Sequence, residues 1–160
     1  MRGSTFRTTH RVRFEHCDVA GILFFPHYVL MLNRTVEDWL ADGLGCDFEE
    51  LHGVRGLAIP TARLELDMTA PSLLGDVLDW ELTVAEIRTT AVVLRHRASA
   101  GGAPRLAAVQ RIVFARQEGL TKTPVPADLR SRIEAFLPED GPDLGPRGGA
   151  GGGGTAGDPV

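Results

Sequence analysis

One stretch with helical periodicity, followed by several with strand periodicity, is the pattern that most limits how this chain can fold. From Pro26 to about Asp42, Tyr28, Leu32, Thr35, Val36, Trp39 and Leu40 form one apolar stripe. Asn33, Arg34, Glu37, Asp38 and Asp42 lie off it, as on an amphipathic helix. Leu30 and Met31 widen the apolar face, so the helix is expected to be buried on more than one side. Pro26 suits the first helical position and Gly43 the stop. From Gly56 onward the period falls to two. Ala62, Leu64, Leu66 and Met68 alternate with Arg63, Glu65, Asp67 and Thr69, and Leu78, Trp80, Leu82 and Val84 alternate with Asp79, Glu81 and Thr83. Thr90–Ala100 and Arg105–Arg116 continue the pattern through a Gly101-Gly102 turn, and residues 5–15 supply an earlier strand. Asp47 and Glu50 form a capping-box pair for a short turn ending at Gly53, and Ala127 to Leu137 closes the domain as a helix. The expected class is α+β, a mainly antiparallel five-stranded sheet wrapping one long central helix.

The 160 residues fit one domain. Gly141–Val160 holds nine of the 19 glycines and only Leu144 and Val160 as sizeable apolar groups, which predicts a folded unit over 1–140 and a disordered Gly/Pro-rich tail over 141–160. A net charge of −4 argues against sequence-independent nucleic-acid binding. Two cysteines do not make a disulfide scaffold. The longest apolar run, Val19 to Leu32, is broken by Pro26, His27 and Tyr28 and falls short of the ~20 residues that span a bilayer. The expectation is a soluble, cytoplasmic chain without membrane association. Charge is segregated: residues 35–86 carry twelve acids against Arg55 and Arg63, whereas residues 87–117 carry Arg88, Arg95, Arg97, Arg105, Arg111 and Arg116 and no acid.

The chemistry concentrates in His16-Cys17-Asp18-Val19-Ala20-Gly21-Ile22-Leu23-Phe24-Phe25-Pro26-His27-Tyr28. A loop carboxylate precedes a helix N-terminus, where backbone N–H groups lack partners and carry the positive end of the helix dipole. Pro26 has no N–H, so the candidate donors are the amides of Phe25, His27 and Tyr28. A carbonyl oxygen held there would be polarised, and Asp18 could attack it or activate water. Asp18 could instead serve only to satisfy loop backbone groups, as Asp often does.

The block Phe14-Glu15-His16-Cys17-Asp18-Val19-Ala20-Gly21-Ile22, then Phe25-Pro26-His27-Tyr28 and a Trp-bearing helix, resembles hotdog-fold acyl-CoA thioesterases of the 4-hydroxybenzoyl-CoA thioesterase type. The likeness extends through Arg55-Gly56, Pro60, the Pro71–Gly75–Asp76 turn and Arg95-His96, over roughly residues 6–128. It implies a hotdog fold with Asp18 as the catalytic carboxylate and the Phe25 backbone amide as the oxyanion donor. Tyr28, Asn33, Ile59 and Arg88 become substrate-binding candidates. It further implies a dimer with active sites at the interface, commonly within a tetramer, and no cofactor. The hydroxybenzoyl type places an Asp on the helix and a hydroxyl residue before the Pro of the second strand; the aligned residues here are Asn33 and Ile59. Ile cannot hydrogen-bond a substrate hydroxyl, and a buried unpaired hydroxyl costs about 1–3 kcal/mol. That points to a benzoyl or other less polar aryl group, or a medium acyl chain.

Other motifs carry less. His52-Gly53 reads as a helix stop, Glu37 and Asp38 as solvated or interface residues, and Cys17 as a small packed residue. His10, His27 and His96 lack metal-ligand spacing, so no metal is expected. Arg88 falls where the resembling enzymes hold CoA phosphate, and arginine suits phosphate bidentately. The expected activity is hydrolysis of an aryl- or acyl-CoA to free acid and CoA. The rivals are a thioesterase acting on carrier-protein-bound acyl groups and a non-catalytic acyl-binding hotdog module.

Overall fold

The computed structural model describes residues 3–139, so the predicted tail at 141–160 lies outside the described residues. Five strands form one antiparallel sheet: β1 (Phe6–Arg11), β3 (Thr61–Met68), β4 (Val77–Ile87), β5 (Ala91–Ala100) and β6 (Ala103–Val113), in the order β1-β4-β5-β6-β3. A two-residue strand β2 (Leu57–Ala58) pairs with β7 (Ala115–Arg116) as a small second sheet. The long helix α1 (Pro26–Asp38) lies against one face of the main sheet, and α2 (Ala127–Ile133) packs into the same core.

The period-two pattern is realised as alternate burial. Leu78, Trp80, Leu82 and Val84 of β4 are completely buried, as are Val92 and Leu94 of β5. They meet Tyr28, Met31, Leu32, Val36, Trp39 and Leu40 of the helix in two adjoining apolar clusters. The opposite face of the sheet is charged, and its register crosses the segregated charges of the sequence. Arg7 of β1 bonds Glu81 of β4 at 2.9 Å, and Glu81 stands opposite Arg97 of β5. Arg105 of β6 reaches Asp76 at 3.8 Å. The acid-free arginine segment thus lies against acids from the preceding half, and pairs as exposed as Arg7–Glu81 contribute little to stability.

The helical run ends at Gly43, as expected, but its last turn is not a plain α-turn. After Asp38 it widens into one π-type turn over Trp39–Gly43, with Leu44 N–H donating to the Trp39 carbonyl at 2.9 Å. The left-handed residue that releases the chain is Gly45 (φ +62°), whose N–H bonds the Ala41 carbonyl. The capping box is realised in one direction only: Asp47 Oδ1 accepts the Glu50 N–H at 2.8 Å. The Glu50 carboxylate turns away to Arg55, which also holds Asp128 of α2 at 2.8 Å. Arg55 therefore fastens the turn after the helix to α2, a structural use for one residue of the resemblance motif. That turn runs over Glu49–Val54, past the expected stop at Gly53. Among the described residues no helix is long and apolar enough to cross a membrane.

Candidate active site

Asp18 sits at the tip of a small hairpin that leads into α1. Its two sides are joined by an antiparallel bridge between Cys17 and Leu23, and the Phe24 N–H donates to the His16 carbonyl at 2.9 Å. At the tip the Asp18 N–H donates to Ile22 O and the Gly21 N–H to Asp18 O, both at 3.0 Å. Gly21 takes φ +74°, a left-handed conformation that favours glycine. The Asp18 side chain is exposed, and its Oδ1 accepts the Ala20 N–H at 2.8 Å. Local loop bonding, the modest use of Asp18, is therefore present. It engages one carboxylate oxygen, and among the described residues no donor reaches the other.

The hairpin delivers the chain directly to Phe25, which already has helical dihedrals (φ −52°, ψ −34°). Of the three candidate donors, the His27 N–H is bonded to Phe24 O at 2.9 Å and the Tyr28 N–H to Phe25 O at 3.0 Å. The Phe25 N–H has no acceptor among the described residues. The donor set read from sequence is thus reduced to one.

His16 holds the base of the hairpin. Its Nδ1 accepts the Arg13 N–H at 3.0 Å, and its ring lies 5.1 Å from that of His27. Burial, then the nearby charges of His27, Arg34 and Arg13, keep it below the ordinary histidine value despite Glu15. Tyr28 is buried, with its hydroxyl paired to Ser72 at 2.6 Å, so this candidate faces the core and ties the start of α1 to the turn before β4.

Asn33 and Ile59 do come together. They line one cavity of about 270 Å³ together with Val36, Phe48, His52, Thr61, Gln110 and Ile112. Its volume lies just below the range typical of whole-ligand pockets, which suits an acyl group alone. Asp18 and Phe25 do not line it. Asn33 lies about 12 Å along the helix from Phe25, at the usual rise per residue. Arg88 lies elsewhere, exposed in the β4–β5 turn, with its guanidinium on Glu86 at 2.9 Å and its carbonyl accepting from Arg130 Nη1 at 3.0 Å.

A buried polar chain that periodicity could not single out leads to Gln110 and Thr61, which line the cavity. On the buried face, Trp80 Nε1 donates to His96 Nδ1 at 3.1 Å, His96 Nε2 meets Gln110 Oε1 at 3.1 Å, and Gln110 Nε2 donates to Thr61 Oγ1 at 2.8 Å. Desolvation pushes His96 down to about 4, only partly opposed by its bond to Gln110. An unfolded histidine near 6.5 takes up a proton as pH falls, and the folded one does not until about 4. Stability is therefore complete above pH 6.5 and is lost between 6.5 and about 4, by an amount of order 3 kcal/mol from this residue. His10 and His16, also lowered chiefly by burial, act with the same sign. Urea unfolding at pH 7 and pH 4.5 should show this loss, and His96→Gln should show a shallower one.

A family model for the thioesterase-like superfamily matches residues 12–133. The chain belongs to that superfamily. Among curated relatives, a 1,4-dihydroxy-2-naphthoyl-CoA hydrolase from Thermosynechococcus vestitus is 27% identical over 133 residues, covering 80% of this chain and 88% of the relative. Among solved structures, a thioesterase-superfamily protein from Jannaschia sp. CCS1 superposes with a TM-score of 0.79 at 22% identity, covering 84% of this chain and 94% of that one. A variant of 4-hydroxybenzoyl-CoA thioesterase bound to 4-hydroxybenzoyl-CoA gives 0.76 at 23% identity, covering 81% and 98%. The five-stranded sheet around α1 is thus the hotdog fold, and the chain is a hotdog member of the thioesterase-like superfamily.

Proposed function

We propose that this thioesterase-family chain hydrolyses an aryl- or acyl-CoA thioester to the free acid and CoA. The observation that carries the reading is the pairing, on one short hairpin, of an exposed carboxylate at Asp18 with the unpartnered Phe25 amide at the N-terminus of α1. The thioester carbonyl accepts from the Phe25 N–H, where the helix dipole also favours the developing negative charge. The Asp18 carboxylate either adds to the carbonyl carbon, expelling CoA thiolate and leaving a mixed anhydride for water, or takes a proton from the water that adds. The acyl group enters the cavity of Asn33 and Ile59, and Arg88, with Arg130 beside it, meets a CoA phosphate.

The working unit is a homodimer, within a tetramer, with its sites at the interface. Phe14, Val19, Phe24, Phe25, Leu30, Leu73 and Leu74 are all about half exposed or more around the hairpin and helix start. β3 is an edge strand with free backbone groups. A partner subunit over this region would cover the apolar surface and dry the reacting carbonyl.

Thiol release from CoA thioesters of benzoate, hydroxybenzoates and C6–C10 acids tests the reading. Turnover of at least one aryl or medium-chain ester, weakened when the 3′-phosphate of CoA is removed, is the expected result. Binding of the esters without turnover would make the chain an acyl-binding module. Turnover indifferent to the 3′-phosphate would point to a carrier-protein substrate.

A further inference from the structure

Asp18 and Phe25 belong to opposite sides of the hairpin, and the two sides are held in different ways. The returning side, which delivers Phe25, is anchored on the turn before β4. The Leu23 N–H donates to Ser72 O at 2.8 Å, Ile22 bridges Leu73, and the Tyr28 hydroxyl meets Ser72 Oγ at 2.6 Å. The outgoing side, which carries Asp18, emerges from the short turn Phe14–His16, and the side chain that closes this turn is His16, only 5% exposed. Its Nδ1 accepts the Arg13 N–H at 3.0 Å while its own N–H donates to Arg13 O at 3.0 Å, so one residue ties the turn from both ends. A backbone N–H can only donate, so the ring proton sits on Nε2, which faces Glu15 Oε1 at 3.5 Å. His16 also meets the element that presents the Phe25 amide. Its carbonyl accepts the Phe24 N–H at 2.9 Å, and its ring lies 5.1 Å from that of His27 in the first turn of α1.

We infer that His16 is a positioning residue of the site: by accepting the Arg13 N–H on Nδ1, it sets the Asp18 side of the hairpin against the Phe25 amide. It touches neither thioester nor water and acts through Asp18, two residues further along the chain. The inference rests on the thioesterase reading of that carboxylate. The role requires a neutral ring, because a proton on Nδ1 would put a second donor against the Arg13 N–H. The surroundings supply that condition. Burial first, then His27 and Arg34 of α1 and Arg13 of its own turn, oppose protonation; Glu15 alone favours it, and His10 of β1 lies within reach of the same charges. A displacement of about 1 Å at a reacting group costs on the order of 10²-fold in rate, so a single bond at the root of the hairpin has leverage over the chemistry.

Two substitutions separate the acceptor from the ring. His16→Asn places Oδ1 where Nδ1 stands and accepts the same N–H without titrating; His16→Leu fills the space and offers no acceptor. With benzoyl-CoA, or the fastest ester of the panel above, His16→Leu should lower kcat about 10- to 100-fold and leave KM within about threefold, since the cavity and Arg88 lie on other elements. His16→Asn should recover kcat to within about fivefold of the unaltered protein. In the Asp18→Asn background, His16→Leu should change the residual rate by no more than about twofold, because its effect passes through the carboxylate. A merely structural His16 would lower that residual rate by the same factor as in the unaltered protein. Should His16→Leu fail to fold, His16→Gln, whose polar atoms lie one bond further out, replaces it. Equal losses in the two variants, full activity without the acceptor, or a loss confined to KM overturns the inference. If no ester is hydrolysed, the thioesterase reading fails separately, and amide hydrogen exchange decides the geometry. The Asp18 and Gly21 amides should then exchange about tenfold faster in His16→Leu than in His16→Asn, with the Leu23 amide unchanged; equal rates overturn the inference.

Discussion

Asp18→Asn should lower kcat for CoA thioester hydrolysis by about 10²–10⁴-fold, the range in which a positioned acid or base acts, while leaving thermal unfolding unchanged. The substitution separates the two uses of this side chain. Asp18 Oδ1 accepts the Ala20 N–H, and the remaining hairpin bonds at the tip are made by backbone atoms. An asparagine Oδ1 accepts the same bond, so a residue needed only to close the loop would be replaced without loss. A catalytic carboxylate has no such substitute, because the amide neither ionises nor attacks. Calorimetric affinity for the ester should stay within a fewfold, since ground-state binding is carried by the cavity and the CoA contacts. Steady-state hydrolysis by Asp18→Asn at the rate of the unaltered protein would remove Asp18 from the mechanism and leave the loop-bonding role.

The elements were legible because each has one buried face. α1 and β4 follow the periods of burial, with Leu78, Trp80, Leu82 and Val84 all inward, whereas Leu30 of α1 and Ala62 and Met68 of the edge strand β3 stay exposed. Asn33 and Ile59, although distant in sequence, line one cavity. Features that depend on register or on the bonding of individual amides were not legible. His96 and Gln110 read as lone polar residues on strand faces; only the diagonal offset between β5, β6 and β3 brings their side chains to Thr61. Weighing Ile59 alone missed them, because the polar capacity of the cavity comes from neighbouring strands. The helical run ends at Gly43, but the left-handed residue after it is Gly45, because the last turn widens around the buried Trp39 and Leu40. Of the three amides at the helix start, those of His27 and Tyr28 are consumed by i→i+3 turns that composition does not reveal.

That reduction to a single donor makes the oxyanion assignment testable at the backbone. Phe25→Pro removes the N–H together with the ring. Its φ of −52° lies within the range proline imposes, and among the described residues no acceptor is deprived of a bond. Phe25→Ala keeps the N–H and removes the ring, which is half exposed and packs edge-on against Phe24. If the amide stabilises the developing oxyanion, Phe25→Pro should lower kcat by about 10²–10³-fold, the usual cost of one such donor, and Phe25→Ala by no more than about tenfold. The two prolines in succession also restrict Phe24, so circular dichroism and melting of both variants must accompany the kinetics. Equal activity of the two variants would exclude the Phe25 amide as donor. The double variant of Asp18→Asn with Phe25→Pro gives a further constraint. Groups that act on one transition state lose their effects non-additively, so the double variant should be less impaired than the product of the single losses predicts. Multiplicative losses would mean that the carboxylate and the amide serve separate steps.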